Sequence, residues 1–357
     1  MEMEIKRKNR KRWYWIGAAL LLVGIVIGVV YLFSPQSTSP NMVTEREAKK
    51  VEKQISVTIL RYEQDLFGID FNHFDEEITK LTEKYPPYLI DKKYAQDPEV
   101  KKMLQGYLND RFIKDLYSKT QTLFADIEPL KEELKQAFSY YLNYFPKDSV
   151  PTMITIVPGL DLQMPSVYIF DQILYINLDQ YLGAGYTYYT KMGIPKYITE
   201  RMDAKYIPVD IFKKVIVYRH LPDKEPVTLL DWIVQEGKKL YFTEMMLPQL
   251  PKNLIIGYTE EKFKWAETYY PNVWGHLIEQ NQVFSKSDDV VRNMIEESPF
   301  TKPFGNVSPG RMGQFMGWKI VKEFMKNNPE VTLEQLMKME NAQNILDRST
   351  FKPIIKK

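Results

Sequence analysis

Cysteine is absent from the 357 residues. Its absence excludes disulfides, thiolate metal sites, a cysteine nucleophile and a lipid-modified cysteine. Histidine is scarce: His73, His220 and His276 are the full set. No HExxH is present, so the usual helical two-histidine zinc site is missing. There is no P-loop and no GxSxG elbow, and Gly183-Ala184-Gly185 runs into tyrosine-rich sequence and fails the dinucleotide pattern. The common motif-bearing enzyme classes therefore find no support, and no cofactor or metal is expected. A net charge of one sign is nearly lacking too, with 48 Lys plus Arg against 46 Asp plus Glu. Six basic and two acidic side chains fall in residues 1–12, which leaves −2 for the rest of the +2 total. The body has no basic excess, so binding to nucleic acid by bulk charge is not expected.

What is present is a globular composition, 44% hydrophobic and 26% charged, preceded by a long apolar run. Trp13–Phe33 reads WYWIGAALLLVGIVIGVVYLF, 21 residues without a charge or a proline. A helix needs about 20 apolar residues to cross a bilayer core. Trp13, Tyr14 and Trp15 sit at one end and Tyr31 near the other, where interfacial aromatics belong. The basic residues just before the run predict a cytoplasmic tail over 1–12, and the body on the periplasmic side of the inner membrane. The run is longer than a signal-peptide core of about 7–15 residues. Phe33-Ser34-Pro35 is also a poor cleavage site, so an uncleaved single-pass anchor is expected. Residues 34–50 are polar, with two prolines, and read as a tether. The folded body is expected from residue 51 to 357 as a single domain.

Within it, Ser56–Leu60 reads as a short strand. Phe74–Tyr85, Pro98–Thr120 and Pro129–Tyr144 carry apolar residues at helical spacing. Thr152–Val157, Val167–Phe170 and Ile173–Asn177 are rich in β-branched and aromatic residues, and Asp171-Gln172 suits a tight turn. They predict a small antiparallel sheet. Helices follow, capped by Thr228, by Thr259, by Ser287 and at Ser308-Pro309, with a further one between the second and third of these that has Pro271 in its first turn. Thr332 and Gln335 make a capping box for the last. Helices, a small sheet, then more helices is an α+β order.

One carboxylate stands out. Leu229, Ile233, Glu236 and Leu240 share one helix face, so Glu236 lies on an apolar stripe and needs a partner. A lysine or arginine is the simplest partner; a metal, a substrate or a partner-binding groove is the alternative. Gly237 beside it permits close approach by another backbone, and Gly313 and Gly317 allow the same on a later helix. Tyr241 follows on the Glu236 helix. His220 ends an apolar run and reads as a core or capping histidine. Arg311 begins the glycine-containing helix, where an anion can bind. His220, Glu236, Gly237, Tyr241 and Arg311 are the candidate ligand or partner groove. Tyr186, Tyr188 and Tyr189, with Tyr269 and Tyr270, suit either a core rim or a peptide- or glycan-binding surface.

Several long blocks resemble the gliding-motility lipoprotein GldB family of Bacteroidota. TLLDWIVQEGKKLYFTEMMLP (Thr228–Pro248) is similar to its central signature. The likeness continues through Ile255–Ser287, Glu297–Met337 and Ile345–Pro353, and upstream in ILRYEQDLF (Ile59–Phe67) and INLDQYLG (Ile176–Gly183). It implies a membrane-attached periplasmic protein of the gliding machinery, which is linked with type IX secretion. Other motility, secretion or envelope proteins are then the implied partners. Members of the family usually carry a lipobox cysteine, which this chain lacks. The family also resembles zinc peptidases in which an HExxH helix precedes a Glu-Gly helix. Glu236-Gly237 falls at the place of the third ligand, and taking His220 as the second puts Ile216 and Val217 at the other two positions. That implies a zincin-like scaffold without its metal, acting by protein or cell-wall binding. An unconventional hydrolase around Glu236 is the alternative.

Overall fold

The computed structural model describes residues 42–93, 95 and 97–354. The expected tail, membrane span and most of the tether lie outside the described residues. Among the described residues no helix is long and apolar enough to cross a membrane. The ordered body starts earlier than the polar composition predicts. Thr44 and Glu47 form a capping box for a helix over Glu45–Glu52. Ala48 on that helix is buried, and the Val43 N–H donates to the Tyr144 hydroxyl at 2.9 Å. Local capping and one small apolar contact have turned the end of the expected tether into structure.

The architecture is α+β and mostly helical, with one four-stranded sheet in the order β1 (Ile59–Arg61), β2 (Met153–Ile156), β4 (Ile173–Asn177), β3 (Val167–Phe170). The sheet is mixed, which corrects the antiparallel expectation. β1 pairs parallel with β2, and β2 parallel with β4; only β3 and β4 form an antiparallel hairpin. The cause is the connection: β1 and β2 are separated by helices from Tyr62 to Tyr144, and a long helical crossover returns a strand in parallel. The hairpin turn is as expected, with Asp171 at φ 48° and Gln172 at φ 62°, the left-handed pair of a two-residue turn.

Alternation along the strands divides the interior. Met153, Leu174 and Ile176 enter the larger core, built with the helices that follow the sheet and with Arg111–Leu123 and Glu128–Tyr144 before it. Ile154, Ile156 and Tyr175 enter a smaller core with Tyr62, Leu66, Phe74, Ile78 and Leu108 from the helices before it.

Three helix boundaries differ from the periodicity. The expected helix over 98–120 is two, Pro98–Asn109 and Arg111–Leu123, because the Asp110 side chain accepts the Ile113 N–H at 3.0 Å and restarts the helix. Pro271 lies inside Glu260–Glu279 rather than at the start of a new helix. Ser308-Pro309 does not begin a helix: Arg311, at φ 61°, precedes Met312–Asn327. The Thr332–Gln335 box caps Leu333–Lys338, and one more helix, Ala342–Ser349, follows.

Candidate functional site

The five candidate residues do not line one opening: His220 borders a cleft without the other four, whereas Glu236 and Arg311 both act on Lys213. Glu236 and Gly237 lie on the Leu229–Met246 helix where it crosses Met312–Asn327. A Cβ on Gly237 would stand 2.2 Å from the Gly317 carbonyl, and one on Gly317 only 1.7 Å from the Ile233 oxygen. Two glycines therefore bring two backbones together, as the sequence predicts. Glu236 is buried, and its Oε1 accepts from Lys239 Nζ at 2.6 Å. Burial works against charge on Lys239, but the Glu236 carboxylate outweighs it and holds the lysine pKa above its usual value. The Lys239 ammonium also donates to the Tyr218 hydroxyl at 2.8 Å. The lysine partner, rather than a substrate, answers the question this carboxylate raised.

The same neutralisation recurs nearby. Buried Glu244 takes Lys252 at 2.7 Å, Lys322 at 2.9 Å and the Trp318 indole N–H at 2.7 Å. Glu297 bridges Arg201 at 2.9 Å and Arg311 at 3.1 Å. Partly buried Lys213 donates to Gln314 at 3.2 Å, and burial, followed by the nearby Arg311 charge, brings its pKa down to about 7. Arg311 is no open anion site. It is buried and donates to the carbonyls of Ile256 and Gly257 at 2.8 and 3.1 Å, closing the end of Lys252–Ile256 over the Tyr258 ring. Tyr241 is buried in the larger core.

The tyrosine cluster divides in the same way. Tyr189 is buried with its hydroxyl donating to the Asp179 carbonyl, and Tyr186 donates to Asp115. Tyr270 packs beside Phe315, whereas Tyr269 is exposed. Tyr189 and Tyr270 belong to the packing of the body, and of the five Tyr269 is the exposed one, with one face against Trp265.

Tyr186 and Tyr188 line an open polar cleft of about 680 Å³, and His220 borders another of about 630 Å³. The His220 cleft lies between the loop after Glu128–Tyr144, the β3–β4 turn and the Leu333–Lys338 helix. Phe145 stacks on the imidazole with ring centroids 3.8 Å apart. His220 Nε2 lies 2.9 Å from the Tyr141 hydroxyl and 3.4 Å from Asp148 Oδ2. The Tyr141 hydroxyl donates to that same Asp148 oxygen. With the phenol proton committed to Asp148, the proton at the histidine contact belongs on Nε2, which leaves Nδ1 as the acceptor. Burial lowers the His220 pKa, against the pull of Asp148, so the ring is neutral at pH 7. Lys147, Arg219, Glu334 and Lys338 line the same cleft. A mixed-charge opening around a fixed neutral imidazole can hydrogen-bond a polar segment or move a proton at Nδ1.

Zinc does not suit the donors here. Ile216 and Val217 are apolar and buried, and Glu236 is already held by Lys239. Among the described residues no group of three or more His, Cys, Asp or Glu is placed to hold a metal ion. Sequence reasoning missed Tyr141 and Asp148. The only local signal is that Asp148 falls in a short polar loop between Pro146 and Pro151.

An α+β body whose buried Glu236 and Glu244 are held by lysines, and whose His220 borders an open polar cleft, is a mostly helical scaffold with that cleft at its surface. The chain belongs to the family described as gliding motility protein GldB, whose family model matches residues 44–353. No curated protein and no solved structure matches it.

Proposed function

We propose that this chain is a membrane-anchored, non-catalytic envelope component of the gliding-motility and type IX secretion-associated machinery. In this reading Trp13–Phe33 is the anchor, residues 1–12 are cytoplasmic, and the body is a periplasmic zincin-like scaffold that binds a partner protein or the cell wall. The observation that carries it is the His220 cleft: open, mixed in charge, and built on an imidazole fixed by Tyr141, Asp148 and Phe145. Buried Glu236 and Glu244, and the more exposed Glu297, each hold a lysine or arginine. The test compares partners recovered by crosslinking from membranes carrying the full chain or its His220→Ala variant. Recovery of an envelope partner should fall about tenfold in the variant, a loss of ~1.4 kcal/mol. Equal recovery sinks the cleft as the binding site.

The Asp148–His220 contact favours a second reading, a hydrolase with Nδ1 as general base. It predicts turnover of a peptide or ester substrate that disappears in His220→Gln. Absence of turnover by the full chain removes it.

A further inference from the structure

The smaller core does not fill its own space. Between the start of Tyr62–Phe67, the end of β2 and the helix Pro98–Asn109 there is a cavity of about 420 Å³. It lies beyond the carboxyl ends of β1 and β2, the side on which ligands gather in open parallel sheets. An apolar cavity of about 150 Å³ is enough for benzene, so this one exceeds a single ring. Tyr62, Phe67, Tyr88, Tyr107 and Tyr168 line it. Met103 and Tyr88 stand at its rim, 65% and 47% exposed, so it has an entrance from solvent.

The chemistry of the walls defines the ligand. The Tyr62 hydroxyl donates to the Leu89 carbonyl, and the Tyr107 hydroxyl to the Val157 carbonyl. Tyr88 and Tyr168 pair with each other through their hydroxyls. Glu63, the one charged group in the wall, gives Oε1 to Arg61 and Oε2 to Thr155, each at 2.6 Å. The polar side chains of the wall are thus already partnered within the chain. A sugar, a peptide backbone or a charged headgroup would lose water in this cavity and find at most the spare hydroxyl proton of the Tyr88–Tyr168 pair in return. A hydrocarbon loses nothing, because it has no polar group to satisfy.

The geometry points to a binding site for a single acyl chain, entering past Met103 and Tyr88 and lying against the tyrosine and phenylalanine rings. The site is separate from the His220 cleft, with no lining residue in common. The chain can come as a free fatty acid or as one tail of a phospholipid, and two probes distinguish them. The full chain is reconstituted in phosphatidylethanolamine–phosphatidylglycerol vesicles. It is then photolabelled with palmitic acid carrying a mid-chain diazirine, or with phosphatidylethanolamine carrying the same acyl group, and labelled peptides are mapped by mass spectrometry.

Label is expected on the segments bearing Tyr88 and Met103–Tyr107. It should fall about tenfold in Met103→Trp and in Leu104→Trp, which place an indole in the space. Met103 is exposed, so its variant is expected to fold, and unchanged circular dichroism checks this. Label from the free acid marks a single-chain carrier, and label from the phospholipid marks a site filled from the bilayer. Label confined to residues 13–33, or label on the pocket segments that neither tryptophan reduces, overturns the proposal.

Discussion

The crossing of Leu229–Met246 with Met312–Asn327 and the carboxyl edge of the small sheet solve the same problem in opposite ways. Both bury charged side chains. At the helix crossing Glu236 meets Lys239, and Glu244 meets two lysines and an indole, while Gly237 and Gly317 remove the space in which water could sit. At the sheet edge the account stays open. Asp179 is buried with Oδ2 accepting from the Gly159 and Leu160 amides, but its Oδ1 has no partner. Asn177 Oδ1, Tyr175 Oη and Arg61 Nη2 are also buried without a partner among the described residues, where Gln121 Nε2 and Arg201 Nε are the other such atoms. Buried polar groups without partners are uncommon and costly, so their concentration in one region is informative. The lesson is a division of labour: the paired, closed region carries stability, and the unpaired region with cavities beside it retains room for ligands.

The largest effect that tests this contrast comes from closing the gap at the crossing. Gly317→Ala places a methyl group 1.7 Å from the Ile233 oxygen, a backbone atom that cannot move alone. We expect a loss of about 4 kcal/mol or more, read as a collapse of the urea midpoint or loss of soluble protein. A variant of near wild-type stability breaks the comparison, because the crossing would then be as tolerant as the sheet edge.

The sheet edge is tested by pH. Burial, opposed by the two amide bonds, pushes the Asp179 carboxyl up to about 6, from an ordinary 3.8. An acid with a raised folded pKa ionises first in the unfolded chain. Its contribution is therefore most favourable below about pH 4, declines as pH rises from about 4 to about 6, and is fully lost at pH 7. Asp179→Asn removes that slope. The variant should gain on the wild type between pH 4 and pH 7, by at most about 3 kcal/mol, in thermal melts across that range. Parallel stability curves would show that Asp179 is satisfied by something other than the two amides.

The smallest effect has the opposite sign. Gly106, on Pro98–Asn109 beside the apolar cavity, would find nothing within 4 Å of an added Cβ. Gly106→Ala should stabilise the chain by about 0.5–1 kcal/mol through helix propensity alone. Two glycine-to-alanine changes of opposite sign, one at the crossing and one on the helix that lines the cavity, would sharpen the contrast with a single chemistry.

Much of the closed region is legible in the sequence. The stripe through Glu236 predicts a buried carboxylate in need of a lysine or arginine, and Lys239 supplies it one turn on. Gly237 and Gly317 announce a close approach, and Thr228, Thr259 and Thr332 mark three helix starts at the residues where their side chains cap. These are local signals within a turn or two of one helix. The sheet edge is another matter. Thr155 reaches Glu63 across 92 residues, and Tyr141 reaches His220 across 79. No local pattern encodes such pairings. The parallel pairing of β1 with β2 is hidden for the same reason: strand composition reveals that a segment pairs, but the intervening helices decide its direction. Arg311 reads as a candidate anion-binding residue because nothing in its neighbourhood announces Glu297, Ile256 and Gly257 as its contacts.

The β3–β4 hairpin has a thermodynamic consequence. Tyr168 on β3 forms part of the apolar cavity, and Gln172 in the turn that follows β3 forms part of the His220 cleft. The two openings thus share one hairpin, with Tyr168 two residues before the end of β3 and Gln172 in the turn itself. Any work that an occupant of one opening does on that hairpin is repaid or charged at the other by the same factor, because linkage between two sites is reciprocal. A partner held in the cleft and a hydrocarbon held in the cavity would then be two readings of one equilibrium.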